Sequence, residues 1–330
     1  MSESIKAIVY EAHGKPEVVL SLRAEPLREA VAGEALVRML AAPINPADLN
    51  QIEGKYPIKF PLPAVPGFEG AGVVEAVHGA PEPAIGARVI LPHDLGTWRE
   101  KAVVAADKLT VVPDDIAPEQ AAMLKINPIT AWRLLHDFVR LGPGDWVIQN
   151  AANSGVGRAV IAICRERGWK TLNVVRRPEL IEELRAAGAD VVLLDNDELR
   201  EAAAEATGRS AIRLGINQVG GESALRLAKV VAPEATIVTI GAMSLRPLTM
   251  PNGLLIFKNL TFTGFWVNKW YERATPAQRA ETFQPLIDLA RRGLLHTPVE
   301  QTFSLGEFAQ AVARGGQGKR GGKIIFRMQS

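Results

Sequence analysis

Gln149-Asn-Ala-Ala-Asn-Ser-Gly-Val-Gly157 decides how this chain is read. Ahead of it, Asp145-Trp-Val-Ile-Gln149 is a short apolar run with the character of a buried parallel strand. Behind it, Val156, Ala159, Val160 and Ile163 recur at helical spacing as far as Gly168. Strand, small-residue turn and helix start together make an anion site. The first N–H groups of a helix lack intrahelical partners, and the positive end of its dipole faces the turn. The dinucleotide fingerprint is G-x-G-x-x-G. With its last glycine set on Gly157, Ala152 and Ser154 stand at the two earlier glycine positions, so an ordinary strand–turn–helix stays in competition.

The next strand bears on that competition. Thr171-Leu-Asn-Val-Val175 runs into Arg176-Arg177-Pro178, about 20 residues beyond the turn, where such folds read the ribose. An NAD site places Asp or Glu there to accept the 2′-hydroxyl. Two planar, permanently charged guanidiniums suit a 2′-phosphate instead. The alternative is a solvated Arg pair opening a helix at Pro178. The residues are read as an NADPH site.

At 330 residues the chain has room for two domains, and 47% hydrophobic with 22% charged residues is the composition of an ordinary globular protein. A formal charge of +2 implies neither nucleic acid nor a membrane surface as partner, and suits a phosphate-rich cofactor. The single cysteine, Cys164, has no internal disulfide partner and lies on the apolar side of the first helix, as a small buried residue. The N-terminus shows no signal core or Arg-rich amphipathic segment, and Ile5-Lys-Ala-Ile-Val-Tyr10 already alternates as a strand. No stretch is long and apolar enough to span a membrane, and a reduced cytoplasmic compartment is the expectation.

Residues 1–117 have another texture. Glu34–Leu40 and Gly70–Val77 are strand candidates among Pro- and Gly-rich turns, as in an antiparallel, barrel-like domain. Pro43, Pro46, Pro57, Pro61, Pro63 and Pro66 punctuate a long connection of the kind that carries function. From residue 118 strands and helices alternate. A helical stretch at 118–137 is interrupted near Asn127-Pro128; strands follow at 190–194, 212–217 and 235–240, with helices at 179–187, 198–206 and 223–231. Gly241-Ala-Met243 closes a strand at its carboxyl end, where doubly wound sheets bind ligands, and Leu260–Phe265 supplies a sixth strand. A helix at 276–292 and strands at 299–303 and 323–326 return to the first style. The expected organisation is 1–117, an inserted nucleotide-binding domain at 118–265, and a return segment at 266–330.

These features resemble the medium-chain dehydrogenase/reductase superfamily over essentially the whole chain, and within it the 2-enoyl thioester reductases of the mitochondrial type. The matching stretches are Ile44-Asn-Pro-Ala-Asp48, Gly54-Lys-Tyr56, Pro66-Gly-Phe-Glu69, Gly96-Thr-Trp98, Asn127-Pro-Ile-Thr-Ala131, Gln149–Gly157, Asn173-Val-Val-Arg176 and Gly264-Phe-Trp266. Gly54-x-Tyr56 also occurs in quinone-reductase relatives; Asn127-Pro-x-Thr130 and Gly264-Phe-Trp266 are more specific. The resemblance implies an α/β protein: a GroES-like, β-barrel-type catalytic domain with an inserted Rossmann domain, a doubly wound parallel sheet. A structural zinc site needs four clustered ligands and a catalytic one usually three, whereas this chain has one Cys and five scattered His. The zinc-dependent branch carries His where Phe68 stands. No metal is expected.

Hydride addition to the β-carbon of a 2-enoyl thioester leaves negative charge on the carbonyl oxygen and α-carbon, so the reaction needs donors aimed there and an acid for Cα. Tyr56, one of three tyrosines, lies in the Pro-rich connection. The resemblance implies that it is the proton donor; read from residues alone it is equally a loop aromatic. The resemblance further implies that Trp266 and Phe265 line the acyl-thioester site. It assigns cofactor contacts to Asn127, Asn153, Ser154, Gly155, Val156, Arg176, Arg177, Pro178, Ile240, Gly241, Ala242, Met243, Phe265, Trp266, Val267 and Lys323. Glu69 is read as fixing its neighbouring turn. Phe68 and Ala242 depart from familiar relatives and bear on pocket shape. The implied activity is NADPH-dependent reduction of a trans-2-enoyl thioester carried by coenzyme A or acyl-carrier protein. A quinone or 2-alkenal reductase of the same superfamily and a non-catalytic NADPH-binding protein are the alternatives. An apolar, uncharged last strand at 260–265 points to a homodimer.

Overall fold

A computed structural model describes residues 3–92, 95–318 and 320–328. The chain divides into two compact units, residues 1–126 with 287–330 and residues 127–286.

In the first unit β1 (Ser4–Tyr10) pairs antiparallel with β2 (Leu20–Pro26), Tyr10 facing Leu20 and Ser4 facing Pro26. β3 (Glu34–Pro43) buries every second side chain, Ala35, Val37, Met39 and Ala41, the period that makes a half-buried strand rather than a helix. It pairs antiparallel with β4 (Ala71–His78), which continues through β5 (Arg88–Ile90). β6 (Lys101–Ala105) pairs with the other edge of β3, and β7 (Thr110–Val112) with β5. The Pro-rich connection between β3 and β4 holds a helix, Pro46–Ile52, and an irregular stretch with Gly54 at φ 73°.

The second unit is a six-stranded parallel sheet. β8 (Trp146–Asn150), β9 (Lys170–Val175), β10 (Val191–Leu194), β11 (Ile212–Asn217), β12 (Thr236–Thr239) and β13 (Thr261–Gly264) lie in the order β10-β9-β8-β11-β12-β13. Numbered within the unit this is 3-2-1-4-5-6, the doubly wound order whose switch point falls between the first and fourth strands. Apolar side chains of the central strands, among them Ile148, Leu172, Val174 and Ile237, bury against helices. Helix Gly155–Arg167 buries Val156, Ala159, Val160, Ile161 and Ile163 and ends on Gly168 at φ 68°, the left-handed cap that glycine takes without strain.

The chain then returns to the first unit. β14 (Val299–Phe303) runs parallel to β15 (Lys323–Arg327), and β15 pairs antiparallel with the end of β3, Phe326 opposite Ala42. Trp98 and Phe326, both fully buried, meet edge to face with ring centres 5.0 Å apart.

The unit boundaries fall at 126 and 286, where the sequence texture suggested 117 and 265. Helix Pro118–Ala122 buries Ala121 and Ala122 and packs on β3, β4 and β5, so it stays with the first unit. Residues beyond β13 stay with the second: the Arg133 guanidinium lies over the Trp270 ring at 5.5 Å and Arg133 Nη1 donates to Thr282 Oγ1 at 3.4 Å.

Candidate functional site

The carboxyl ends of the parallel strands carry a continuous polar lattice. Asn150 at the end of β8 donates from Nδ2 to Asn217 Oδ1 at 3.0 Å and to Ser223 Oγ at 2.9 Å. Its Oδ1 accepts the Gln218 N–H at 2.7 Å. Gln218 Nε2 in turn donates to the Asn150 carbonyl at 3.0 Å, and Asn217 Nδ2 to Thr239 Oγ1 at 3.1 Å. Gln149 Nε2 reaches Asn173 Oδ1 at 2.7 Å. Buried amides bonded in this way lock the three adjacent strand ends β8, β11 and β12 to one another.

The turn after β8 sits on that lattice. Ala151 is held at φ 47°, a left-handed conformation costly for a residue with a Cβ. Ser154 caps the helix, its Oγ accepting the Gly157 N–H at 3.0 Å and donating to Gln218 Oε1 at 2.8 Å. A Cβ on Gly157 would stand 2.3 Å from the Ala152 carbonyl oxygen, so the helix start and the turn touch backbone to backbone. A Cβ on Gly155 would stand 2.6 Å from Asn127 Nδ2. Asn127 therefore lies against the helix N-terminus, and its Nδ2 is buried with no hydrogen-bond partner among the described residues. An unused amide donor beside a capped 13-residue helix start fits a phosphate- and ribose-bearing group.

The second unit also carries most of the other expected cofactor residues. Arg176 follows β9, exposed and in no ion pair among the described residues. Arg177 lies 3.4 Å from Glu179. Ile240 donates its N–H to the Asn217 carbonyl at 2.9 Å and Met243 to that of Gln218 at 3.1 Å, so the segment after β12 is pinned to the same lattice. Gly241 has its own reason: a Cβ there would meet the Gln218 carbonyl oxygen at 2.9 Å. Phe265 donates its N–H to the Thr239 carbonyl and packs edge-on against Phe138 at 6.1 Å. Trp266 caps helix Val267–Arg273, half-buried, with Lys269 Nζ 5.8 Å from its ring centre.

Two expected site residues, Tyr56 and Lys323, lie in the first unit. Tyr56 is half-buried, its N–H on the Asn50 carbonyl at 3.1 Å and its ring tilted on Phe68 at 5.0 Å. Lys323, at the start of β15, donates to Asn45 Oδ1 within a buried polar cluster. In that cluster Asn45 Nδ2 donates to Glu69 Oε1 at 2.8 Å, and the Ile126 N–H to Glu69 Oε2 at 3.0 Å. Asp48 Oδ2 accepts the Asn45 N–H at 2.6 Å, and its Oδ1 the Phe68 N–H at 2.9 Å. Burial pushes the Asp48 carboxyl up to about 7 against these bonds, with Glu69 adding to the rise. Burial likewise raises Glu69 and lowers Lys323. Asp48 and Lys125 were not read as site residues; the Asn45-x-x-Asp48 capping box was the signal that could have found Asp48. Among the described residues no three His, Cys, Asp or Glu side chains form a metal-binding group. Burial raises the Cys164 thiol, which keeps it protonated.

Comparison with known proteins adds to this geometry. Residues 31–114 match the alcohol dehydrogenase GroES-like domain model, and residues 155–290 the zinc-binding dehydrogenase model. The chain is 42% identical over 316 residues to a rat (Rattus norvegicus) protein, enoyl-[acyl-carrier-protein] reductase, mitochondrial, covering 93% of this chain and 84% of the relative. It superposes on Etr1p solved with NADP and crotonyl-CoA (TM-score 0.89, 27% identity, 98% and 100% of the two chains). It also superposes on a Bacillus thuringiensis protein described as an NADPH:quinone reductase (TM-score 0.91, 30% identity, 99% of each). The mitochondrial name of the rat relative overturns the expected cytoplasmic location, which rested on the lack of a recognisable leader and of a membrane-spanning stretch.

Proposed function

The chain belongs to the medium-chain dehydrogenase/reductase superfamily, in its enoyl thioester reductase branch, and on that footing we propose that it reduces the 2,3 double bond of trans-2-enoyl thioesters with NADPH. The observation that carries this reading is the 42% identity to an enoyl-[acyl-carrier-protein] reductase across 93% of the chain. NADPH supplies the hydride for the β-carbon. The residues that would hold it are the Ser154-capped helix start, the unpartnered Asn127 amide, the segment 240–243 and Arg176, with Arg177 partly engaged by Glu179. The 2′-phosphate falls to Arg176 because an exposed guanidinium without an ion-pair partner has its full donor fork to offer.

Tyr56 holds the proton for the α-carbon on its phenol oxygen, and its ring is steadied by Phe68. Trp266 and Phe265 bound the acyl chain on the second unit, at the carboxyl end of β13. The carrier is coenzyme A or acyl-carrier protein, since the reacting acyl end is the same in both. The active form is a homodimer. β13 is the outer strand of its sheet, and Met243, Leu245, Ile256 and Phe257 of the same unit are exposed, Phe257 by 89%. An outer strand beside exposed apolar side chains is a surface that a second copy covers.

The experiment follows loss of NADPH absorbance with crotonyl-CoA, an enoyl acyl-carrier protein, a 2-alkenal and a quinone. The thioesters should exceed the other two in kcat/KM by about a hundredfold. A quinone or alkenal turned over better than either thioester would replace this reading with the reductase alternative. Binding of NADPH without turnover of any of the four would reduce the protein to a cofactor binder.

A further inference from the structure

Within the first unit, Tyr56 is tied to the fold from two directions that meet at one carboxylate. Along the chain, its N–H bonds the Asn50 carbonyl in helix Pro46–Ile52, and that helix begins with the Asn45 N–H on Asp48 Oδ2 at 2.6 Å. Through space, its ring lies on Phe68 at 5.0 Å, and the Phe68 N–H bonds the other oxygen, Asp48 Oδ1, at 2.9 Å. The two segments are 20 residues apart in sequence, and Asp48 is fully buried where they cross.

The far side of Phe68 is held as well. Its carbonyl accepts from Lys125 Nζ at 3.3 Å, and the same ammonium reaches the Leu91 carbonyl at 2.8 Å. Phe60 packs on the ring at 5.9 Å. Phe68 therefore has its N–H, its carbonyl and its ring all fixed, and it is 3% exposed. A merely space-filling aromatic needs no buried carboxylate on its amide. Burying a carboxylate is costly unless its bonds are good, and both Asp48 oxygens are bonded to backbone N–H groups that they hold in place.

We propose that Asp48 is the positioning residue for Tyr56: one carboxylate sets the helix that carries the tyrosine's backbone in register with the phenylalanine that carries its ring. This rests on the reading of Tyr56 as proton donor. The Asp48 oxygens accept the Asn45 and Phe68 N–H groups, so its effect on the reaction runs through the segments that hold Tyr56. Replacing one of its oxygens by an amide sets N–H against N–H, lets the helix start and the segment carrying Phe68 slip, and moves the phenol.

The test is a kinetic double-mutant cycle on the full chain with NADPH and crotonyl-CoA. Asp48→Asn should lower kcat about tenfold, the cost of leaving one buried N–H unpaired, with KM for NADPH within about twofold of wild type. In the Tyr56→Phe background the same change should alter kcat by less than about twofold, because the group it positions is gone. Phe68→Leu keeps both backbone bonds and removes only the ring. It should lower kcat in the wild type, be silent beside Tyr56→Phe, and carry the test if Asp48→Asn does not fold. Losses that multiply in the double variants would overturn the proposal while leaving Tyr56 catalytic. Wild-type turnover by Tyr56→Phe would remove the donor reading on which it rests.

Discussion

Replacing Arg176 by Ala separates the two nicotinamide cofactors. The side chain is exposed at the end of β9 and forms no ion pair among the described residues, so its removal leaves no buried group unpaired. The melting temperature should move by less than about 2 °C. A charge-assisted contact to the 2′-phosphate is worth about 1.5–3 kcal/mol, and exposure to solvent puts this one at the lower end. The KM for NADPH should rise about tenfold, while that for NADH, which lacks the phosphate, stays within about twofold. Arg177→Ala should cost less, because that guanidinium is already shared with Glu179 at 3.4 Å. Initial rates with each cofactor at saturating crotonyl-CoA give both constants. Equal losses for NADPH and NADH would refute the assignment, since the residue would then act on the turn and not on the phosphate.

Three further outcomes follow from the geometry. Gly157→Ala drives a methyl to 2.3 Å from the Ala152 carbonyl oxygen, against backbone that has no rotamer to escape by. Unfolding titrations should show a loss of at least about 2 kcal/mol, and NADPH affinity should drop more than tenfold. Light scattering should give twice the 35.6 kDa chain mass at micromolar concentration, and Phe257→Asp should shift the protein toward the monomer; a monomeric wild type would count against the dimer. The third outcome concerns pH. Asp48 is raised from 3.8 to about 7 in the folded state, chiefly by burial, with Glu69 raising it further and Lys323 opposing. Between those values the folded chain holds a proton that the unfolded chain has released, so this group's contribution to stability falls as pH rises from about 4 to about 7 and is flat above. The stability of wild type relative to Asp48→Asn should decline across that window, and a constant difference would mean that Asp48 does not titrate there.

The parts of the fold that arise from local pattern were legible. β11 and β14 lie at the residues that alternation and burial suggested, and the helix after the Asn150–Ser154 turn ends at Gly168 as its spacing required. Boundaries that depend on packing were not. Pro118–Ala122 reads like the opening of the nucleotide domain because helix follows helix, yet its buried alanines face the first sheet. The same limit hid the polar lattice at the carboxyl ends of the parallel strands. Nothing near Asn150 in sequence announces that its amide joins Asn217, Ser223 and Gln218, more than 60 residues away. Asp48 is legible as a helix capper, but its second bond, to Phe68, exists only once β3 and β4 have paired. Tyr56 and Trp266 are proposed on family likeness; composition and spacing alone leave both as unremarked aromatics.

Tyr56→Phe with crotonyl-CoA in deuterated water decides whether Tyr56 delivers the α-proton as the enoyl thioester is reduced. The substitution keeps the ring on Phe68 and removes one hydroxyl, and the cofactor turn at 151–157 belongs to the other unit. Turnover should fall about a hundredfold or more, with NADPH affinity within about threefold of wild type, and deuterium should enter Cα without a single configuration. Wild-type turnover with one retained α-configuration would mean that another group delivers the proton.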